Sequence, residues 1–283
     1  MILELFFERK VEIMTINNRF VEPPQTAHAN VRVVRADKME CVSASELIKE
    51  HFMEISINEQ PAFRLMCTPN RLAELALGRI VTEGLIRECD DVESVFICET
   101  GKAAKVYLKE GIALLEGDGG LYTEPTCCTQ NKLLGSFRGV KDLEPLPRAA
   151  YSEEHIFALA EKFHENASLH RRTSGTHGCY LSYRGRYQGV FEDIGRHNAL
   201  DKAVGYALIN GLSFQDCILF TTGRVPVDMV EKAVTAGIPV LVSKSVPTVD
   251  AAELAKRCNL TLICRAWRDS YEVYNEADGE RTD

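Results

Sequence analysis

Residues Gly189–Leu208 read GVFEDIGRHNALDKAVGYAL, and the fold turns on how this stretch divides. Gly189-Val190-Phe191 has the look of a strand end. Ala199, Leu200, Ala203, Val204, Ala207 and Leu208 then recur at the spacing of one buried helical face. A strand therefore ends in a turn at Gly195, and a helix follows it. Glu192, Asp193, Arg196, His197, Asn198, Asp201 and Lys202 crowd the join. A helix start offers unpaired N–H groups and partial positive charge, which suits an anion. Capping alone, by Asn198 or Asp193, needs fewer polar groups than this. The stretch is a candidate ligand site.

Working outward, strand and helix patterns alternate to the C-terminus. Cys179–Tyr183 and Tyr187–Phe191 read as a hairpin around Arg184-Gly185-Arg186. Cys217–Thr221, Ile238–Val242, Leu260–Cys264 and Tyr271–Tyr274 read as strands, and Pro226–Ala236 and Val249–Cys258 as helices. Strands followed by helices predict a largely parallel sheet covered on both faces. On such sheets ligands bind beyond the carboxyl ends of strands. The polar turns at Asp193–Asn198, Thr222-Gly223-Arg224 and Ser243–Thr248 should thus meet on one rim. Arg196, His197, Lys202, Arg224 and Lys244 would give that rim positive charge, with Ser and Thr hydroxyls beside them. This suits phosphate. The competing reading pairs those basic groups with Glu192, Asp193 and Asp228. No P-loop and no G-x-G-x-x-G occurs.

Upstream, Ser152 opens a helix with acids in its first turn. Glu54–Leu65 alternates as a hairpin turning at Asn58-Glu59-Gln60. In CTPNRLAELALGRIVTEGLI, Thr68 is a candidate N-cap and Pro69 a first helical residue. Leu72, Leu75, Ala76 and Ile80 form the buried stripe, and Gly84 sits just past the end. Val92–Cys98 and Lys105–Leu108 pair around Gly101. Residues 1–30 are poorly patterned and read as an arm. The divisions are 1–40 (arm), 41–116 (smaller N-terminal subdomain), 117–150 (cysteine loop and linker), 151–275 (C-terminal domain) and 276–283 (tail). The class is α/β, with an α+β N-terminal part and a mixed or parallel sheet sandwiched by helices in the C-terminal domain.

The chain has 283 residues and a net charge of -8, which argues against a nucleic-acid binder. No apolar run reaches membrane-span length, and MILELFFERK lacks the basic start and cleavage site of a signal peptide. Ten cysteines without such a signal point to reduced thiols in a cytoplasm. Two of them, Cys127 and Cys128, lie in the patternless run GDGGLYTEPTCCTQNKLLGSFRGV. Long connections of this kind are often functional. The pair is incidental, or half of a metal site, or holds a working nucleophile. Adjacent cysteines have poor chelating spacing, and no C-x-x-C occurs. Lys132 and Arg138 would favour a thiolate.

Together, EDIGRHNALDKAVG, the Thr222–Arg224 turn, AGIPVLVSKSVPT and CTPNRLAELALGRIVTEGLI resemble the formate dehydrogenase accessory sulfurtransferase (FdhD) family. The similarity runs in order from about Ile55 to Tyr274. It implies a sulfur carrier that takes sulfane sulfur from a cysteine desulfurase as a persulfide. It implies delivery to the molybdenum cofactor, bis-molybdopterin guanine dinucleotide, bound as cargo before insertion into formate dehydrogenase. It also implies a cytidine-deaminase-like C-terminal domain and a homodimer. The family's loop carries Ser-Cys-Gly-x-Cys-Gly. Here Cys127 falls on its first cysteine, Cys128 on the glycine and Gln130 on the second cysteine. Cys127 is then the persulfide carrier, and Cys128 a candidate assisting thiol. The resemblance places a cofactor-binding stretch at Arg265, Ala266, Trp267, Arg268, Asp269 and Ser270. There two arginines suit phosphate and Trp267 suits stacking on guanine. His177, Asp193, Arg196, His197, Asn198, Lys202, Thr222, Gly223, Arg224, Ser243 and Ser245 complete the candidate cofactor-binding set.

Three rivals remain. A zinc deaminase needs H-x-E and P-C-x-x-C, but His177 is followed by Gly178-Cys179 and the second motif is missing, so no zinc is expected. A cofactor-binding chaperone would use the rim without moving sulfur. A Cys127–His177 hydrolase has no supporting motif.

Overall fold

The computed structural model describes residues 14–37, 40–112, 122–123, 132–133, 143–147, 149, 151–165 and 169–277. In chain order, the N-terminal part contains β1 (Thr15–Asn18), β2 (Thr26–Val34), β3 (Glu40–Ile48), β4 (His51–Ile57), β5 (Gln60–Cys67), α1 (Leu72–Thr82), β6 (Val92–Ile97), β7 (Ala103–Leu108), β8 (Tyr122–Thr123) and β9 (Lys132–Leu133). The C-terminal part contains α2 (Glu153–Glu165), α3 (Leu169–Thr173), β10 (His177–Tyr183), β11 (Arg186–Asp193), α4 (Arg196–Ile209), β12 (Cys217–Thr221), α5 (Val227–Thr235), β13 (Val240–Ser243), α6 (Val249–Arg257), β14 (Thr261–Cys264) and β15 (Glu272–Asn275).

The first sheet runs β1-β6-β7-β4-β5-β9-β8 and the second runs β11-β10-β12-β13-β14-β15. The second sheet is mixed around a parallel centre, as expected of the C-terminal domain. Only β12, β13 and β14 run parallel, and β10, β11 and β15 oppose their neighbours. The reason is local. A two-residue turn at Arg184-Gly185, both at positive φ, returns β10 directly into β11 without a crossover helix. Asn58 and Glu59, also at positive φ, make the equivalent turn between β4 and β5.

Strand alternation sorts the core into two faces. Cys179, Leu181, Leu219, Leu241 and Leu262 face α4, α5, α6 and the first sheet. Tyr180, Phe220, Val242 and Ile263 face the other way, onto Ile156, Leu159 and Ala160 of α2. One apolar cluster therefore spans both sheets, with α1 and α4 back to back between them. Their approach depends on two glycines. A Cβ at Gly78 would sit 1.7 Å from the Asp201 carbonyl oxygen, and one at Gly205 1.9 Å from that of Glu74. A buried ion network pins the same seam. Lys232 Nζ lies 3.0 Å from Asp201 Oδ1 and 2.9 Å from Thr82 Oγ1, and Arg79 bonds Glu83 at 3.0 Å.

Two expectations need correction. The helix after Cys67 begins at Leu72, preceded by Arg71 in the left-handed region, so neither Thr68 nor Pro69 opens it. Thr68 is diverted because its hydroxyl serves a buried cluster described below. Within the stretch read as an arm, β1 joins the first sheet beside β6, and β2 pairs with β3 as a separate ribbon. All four β1 residues are exposed, so no alternation betrays the strand. Gly84, at φ 74, does sit just past α1. Among the described residues, no helix is long and apolar enough to cross a membrane.

Candidate functional site

At one end of the second sheet, β11 stops, β10 starts and β12, β13 and β14 finish. The loops there are stitched together. Gly178 N donates to Thr222 Oγ1 at 3.0 Å, and Thr222 N returns to Gly178 O at 3.0 Å. Ser243 Oγ donates to Gly223 O at 2.7 Å and accepts from Ser245 N at 2.9 Å. Arg265 N donates to Ser245 O, and Ala266 N to Ser243 O. These bonds lock the turns after β12, β13 and β14 side by side, so they form one continuous ledge. Gly223 is tight against the start of α4: a Cβ there would lie 3.1 Å from Arg196 Cδ and 3.4 Å from His177 Nδ1. His177, Arg196, Thr222, Gly223, Ser243, Ser245, Arg265 and Ala266 are thus brought together. Arg224 is exposed on the same turn.

The helix start contributes in two ways. Gly195 is the N-cap of α4, with no side-chain cap bond, and the helix's first residue, Arg196, packs against Gly223 of the ledge. His197 turns inward, with Nε2 3.1 Å from Asp228 Oδ2. His177 is half-buried. Burial first, then the Arg196 guanidinium beside it, hold its pKa below the ordinary histidine value. The unfolded chain takes up this proton near pH 6.5, before the folded one does. The neutral imidazole's advantage is complete above that pH and is lost as pH falls through the lowered folded pKa.

Asp193, Asn198 and Lys202 lie beneath the ledge rather than on it. Lys202 has no exposed surface. Its Nζ lies 2.6 Å from Asp193 Oδ2, 2.7 Å from Thr68 Oγ1 and 2.7 Å from Asn70 Oδ1. Asp193 Oδ1 accepts from Gly195 N and Asn198 Nδ2, each at 2.9 Å. The charge expected from Lys202 is therefore spent on a buried partner, and the helix start is held from below. Pairing of basic groups with Asp193 and Asp228 is real for Lys202 and His197.

Beyond Ala266 the chain turns over the end of α2. Trp267 N donates to Ser270 O at 2.8 Å, closing a short turn that exposes Arg268, Asp269 and Ser270. Trp267 is 40% exposed, and Lys244 Nζ lies 5.3 Å from its ring and 4.5 Å from that of Phe163. His164 packs 6.1 Å from Trp267. Arg268 pairs with Glu161 at 3.1 Å. An aromatic face with a lysine over it thus adjoins the ledge. Phe163, His164 and Glu161 come from α2, and the α2 pattern offers no hint of this second face. Asn70 carries no signal in the sequence, and Thr68, preceding a proline, reads as a cap rather than as part of a buried cluster.

Cys127 and Cys128 lie outside the described residues. The strands flanking them are described. β8 and β9 pair antiparallel, and β9 pairs with β5, Lys132 opposite Arg64. The chain leaves β8 at Thr123 and re-enters β9 at Lys132, on the side toward which β5 runs, that of Cys67 and Thr68. The eight described cysteines are all free thiols. Burial pushes the Cys217 and Cys264 thiols up to about 12 and raises Cys67 and Cys179 as well, which makes them unreactive. At Cys98 burial also pushes upward, but hydrogen bonds from Thr100 and nearby backbone amides outweigh it and lower the pKa. Among the described residues no cluster of three His, Cys, Asp or Glu could hold a metal ion.

Comparison with known proteins agrees along most of the chain. The sulfur carrier protein FdhD of Listeria monocytogenes serovar 1/2a is 29% identical over 255 residues, covering 88% of this chain and 96% of that protein. The sulfur carrier protein FdhD of Bacillus pumilus is 28% identical over 230 residues, covering 81% and 88%. A crystal structure of a protein assigned as a formate dehydrogenase accessory protein, from Desulfotalea psychrophila, superposes with a TM-score of 0.72. It is 25% identical, with 89% of this chain and 97% of that chain covered. The profile of the FdhD/NarQ family matches residues 48–281. The chain belongs to the FdhD/NarQ family.

Proposed function

We propose that this protein is a sulfur carrier for formate dehydrogenase maturation, with Cys127 as its persulfide and the ledge as its cofactor seat. The observation that carries the reading is the convergence of the three strand-end turns with the first turn of α4, on the side to which the Cys127 segment is tethered. Four residues separate Cys127 from Thr123, a reach of about 14 Å. From Arg64, beside Lys132, to Thr68 is another four residues, about 14 Å along β5. Thr68 bonds Asp193, which holds Gly195 next to Arg196. A thiol on this tether, fully extended, has the reach to come up to Thr68, whose bonds through Asp193 hold the start of α4.

The chemistry is thiol exchange. Cys127 thiolate attacks the outer sulfur of the donor's persulfide, the donor's S–S bond breaks, and the donor leaves as a thiolate. Electrons balance and no oxidant is needed. A cysteine desulfurase is the donor class. The cargo is the molybdenum cofactor in its bis-molybdopterin guanine dinucleotide form. Arg196, Arg265 and the α4 amides suit its phosphates, and Trp267 with Lys244 suits a guanine face. The relatives' name, sulfur carrier, supports the transfer role, and the same reading brings a homodimer and a cytoplasmic setting with it. Mass spectrometry after incubation with a desulfurase and cysteine tests this. An adduct of about 32 Da, one sulfur atom, is expected on Cys127. An adduct on Cys98 or Cys41 instead would overturn the assignment.

Two binding results follow. Trp267 is the sole tryptophan, so guanosine diphosphate should quench the chain's tryptophan emission. Trp267→Leu should weaken that nucleotide roughly tenfold by calorimetry. An anion next to His177 raises its pKa again, so binding takes up a proton. Affinity for guanosine diphosphate should rise as pH falls from 7.5 to 6, by up to about tenfold. His177→Asn should leave only the smaller slope of the phosphate's own titration.

A further inference from the structure

Neither the anion ledge nor the thiol explains Thr68 and Asn70. Both are buried, with 0% and 8% of their surface exposed, in the turn from β5 to α1. Thr68 N donates to Asp193 Oδ2 at 2.9 Å, and Thr68 Oγ1 lies 3.0 Å from the same oxygen and 3.2 Å from Glu192 O. Asn198 Nδ2 reaches back from α4 to Met66 O at 2.8 Å. Lys202 fills the centre, touching Thr68, Asn70, Glu192 O and Asp193. These bonds cross from the end of β5 to the residues just before and after Gly195. Burying a lysine–aspartate pair is a poor way to gain stability, since apolar packing of the same volume does as well. Hydrogen bonds have direction, so they fix a register that apolar side chains would let slide.

Two working parts end at this junction. β5 carries β9, from which the Cys127 segment hangs. Asp193 holds the amide of Gly195, the N-cap of α4, one residue before Arg196. Resting on the sulfur-carrier reading above, we infer that Thr68 and Asn70, through Lys202 and Asp193, are positioning residues for sulfur delivery. They set the end of β5, and hence the anchorage of the Cys127 segment, against the start of α4. In delivery, a nucleophilic atom of the seated acceptor attacks the outer sulfur of the Cys127 persulfide. The new bond to sulfur forms as the S–S bond breaks, and Cys127 leaves as a thiolate with the electron pair. The proton on the outer sulfur travels with it. Such an in-line attack is sensitive to displacements of about 1 Å. Loading by a free donor and discharge to a free thiol do not involve the ledge, so the junction does not control them.

The test compares Thr68→Val, which keeps the shape and removes the hydroxyl, with Thr68→Ser, which keeps it. Three rates are read on the full chain: appearance of the Cys127 persulfide with desulfurase and cysteine, its discharge to dithiothreitol, and activation of formate dehydrogenase. Thr68→Val should load and discharge at the wild-type rate yet activate at least tenfold more slowly, and Thr68→Ser should restore activation. Equal activation by a folded Thr68→Val overturns the inference. So does an equal fall in all three rates, which marks a merely structural role. If Thr68→Val does not fold, Asn70→Ser, which withdraws one acceptor from Lys202 at the edge of the cluster, is read by the same split. Failure of the wild-type chain to load Cys127 sinks the sulfur-carrier reading itself, a result distinct from any of these.

Discussion

Replacing Cys127 with alanine is expected to abolish activation of formate dehydrogenase, by at least about 100-fold, in cells that lack any other copy of this protein. The nucleophile of a transfer reaction has no substitute once removed. A chaperone that only seats the cofactor would survive the change, so the same variant separates the two functions. Cys128→Ala should cost much less, since one persulfide completes the exchange without a second thiol. Guanosine diphosphate binding should be unchanged in both variants, because the ledge is built from the second sheet. Activity retained by Cys127→Ala and lost by Cys128→Ala would move the carrier one residue along.

The second large effect concerns the fold. Gly205→Val should destabilise the chain by at least about 3 kcal/mol, with a fall in melting temperature of roughly 6–12 °C. A Cβ there meets backbone, not a side chain that could swing aside, at 1.9 Å from the Glu74 oxygen. Relief requires α1 and α4 to separate, which opens the core shared by both sheets and loosens the ion network of Arg79, Asp201 and Lys232. Gly78→Val should behave alike. Gly189→Ala, where the new atom makes only ordinary contact at 3.8 Å with Phe191, is the control and should change stability little. Differential scanning calorimetry decides between them.

Much of this could be read from residues. The strand–turn–helix of Gly189–Leu208 was legible because its apolar positions repeat at helical spacing and Gly195 breaks them. The meeting of the turns at Asp193–Asn198, after Thr221 and after Ser243 was legible because polar residues follow strands in a wound sheet, and the turn after Cys264 was marked only by the family resemblance. What stayed hidden was whatever depends on partners distant in sequence. Lys202 looks like a surface cation until Thr68, 134 residues away, is seen bonded to it. Gly205 looks like a weak spot in a helix until α1 is laid across it. The four residues of β1 carry no pattern at all, since an exposed edge strand has no face to bury. The β10–β11 hairpin was legible from Arg184-Gly185, whereas the antiparallel pairing of β10 with β12 and of β15 with β14 joins strands distant in sequence or lacking a tight turn between them.

Sulfur delivery requires that the Cys127 thiol reach the anion ledge. Guanosine diphosphate carrying a bromoacetyl group tests it directly, since the label alkylates only a thiol near the seated nucleotide. Peptide mapping should place the label on Cys127, suppressed by excess unlabelled nucleotide. Label on Cys41 or Cys98 with Cys127 untouched, or label on Cys127 that excess nucleotide does not suppress, would contradict it.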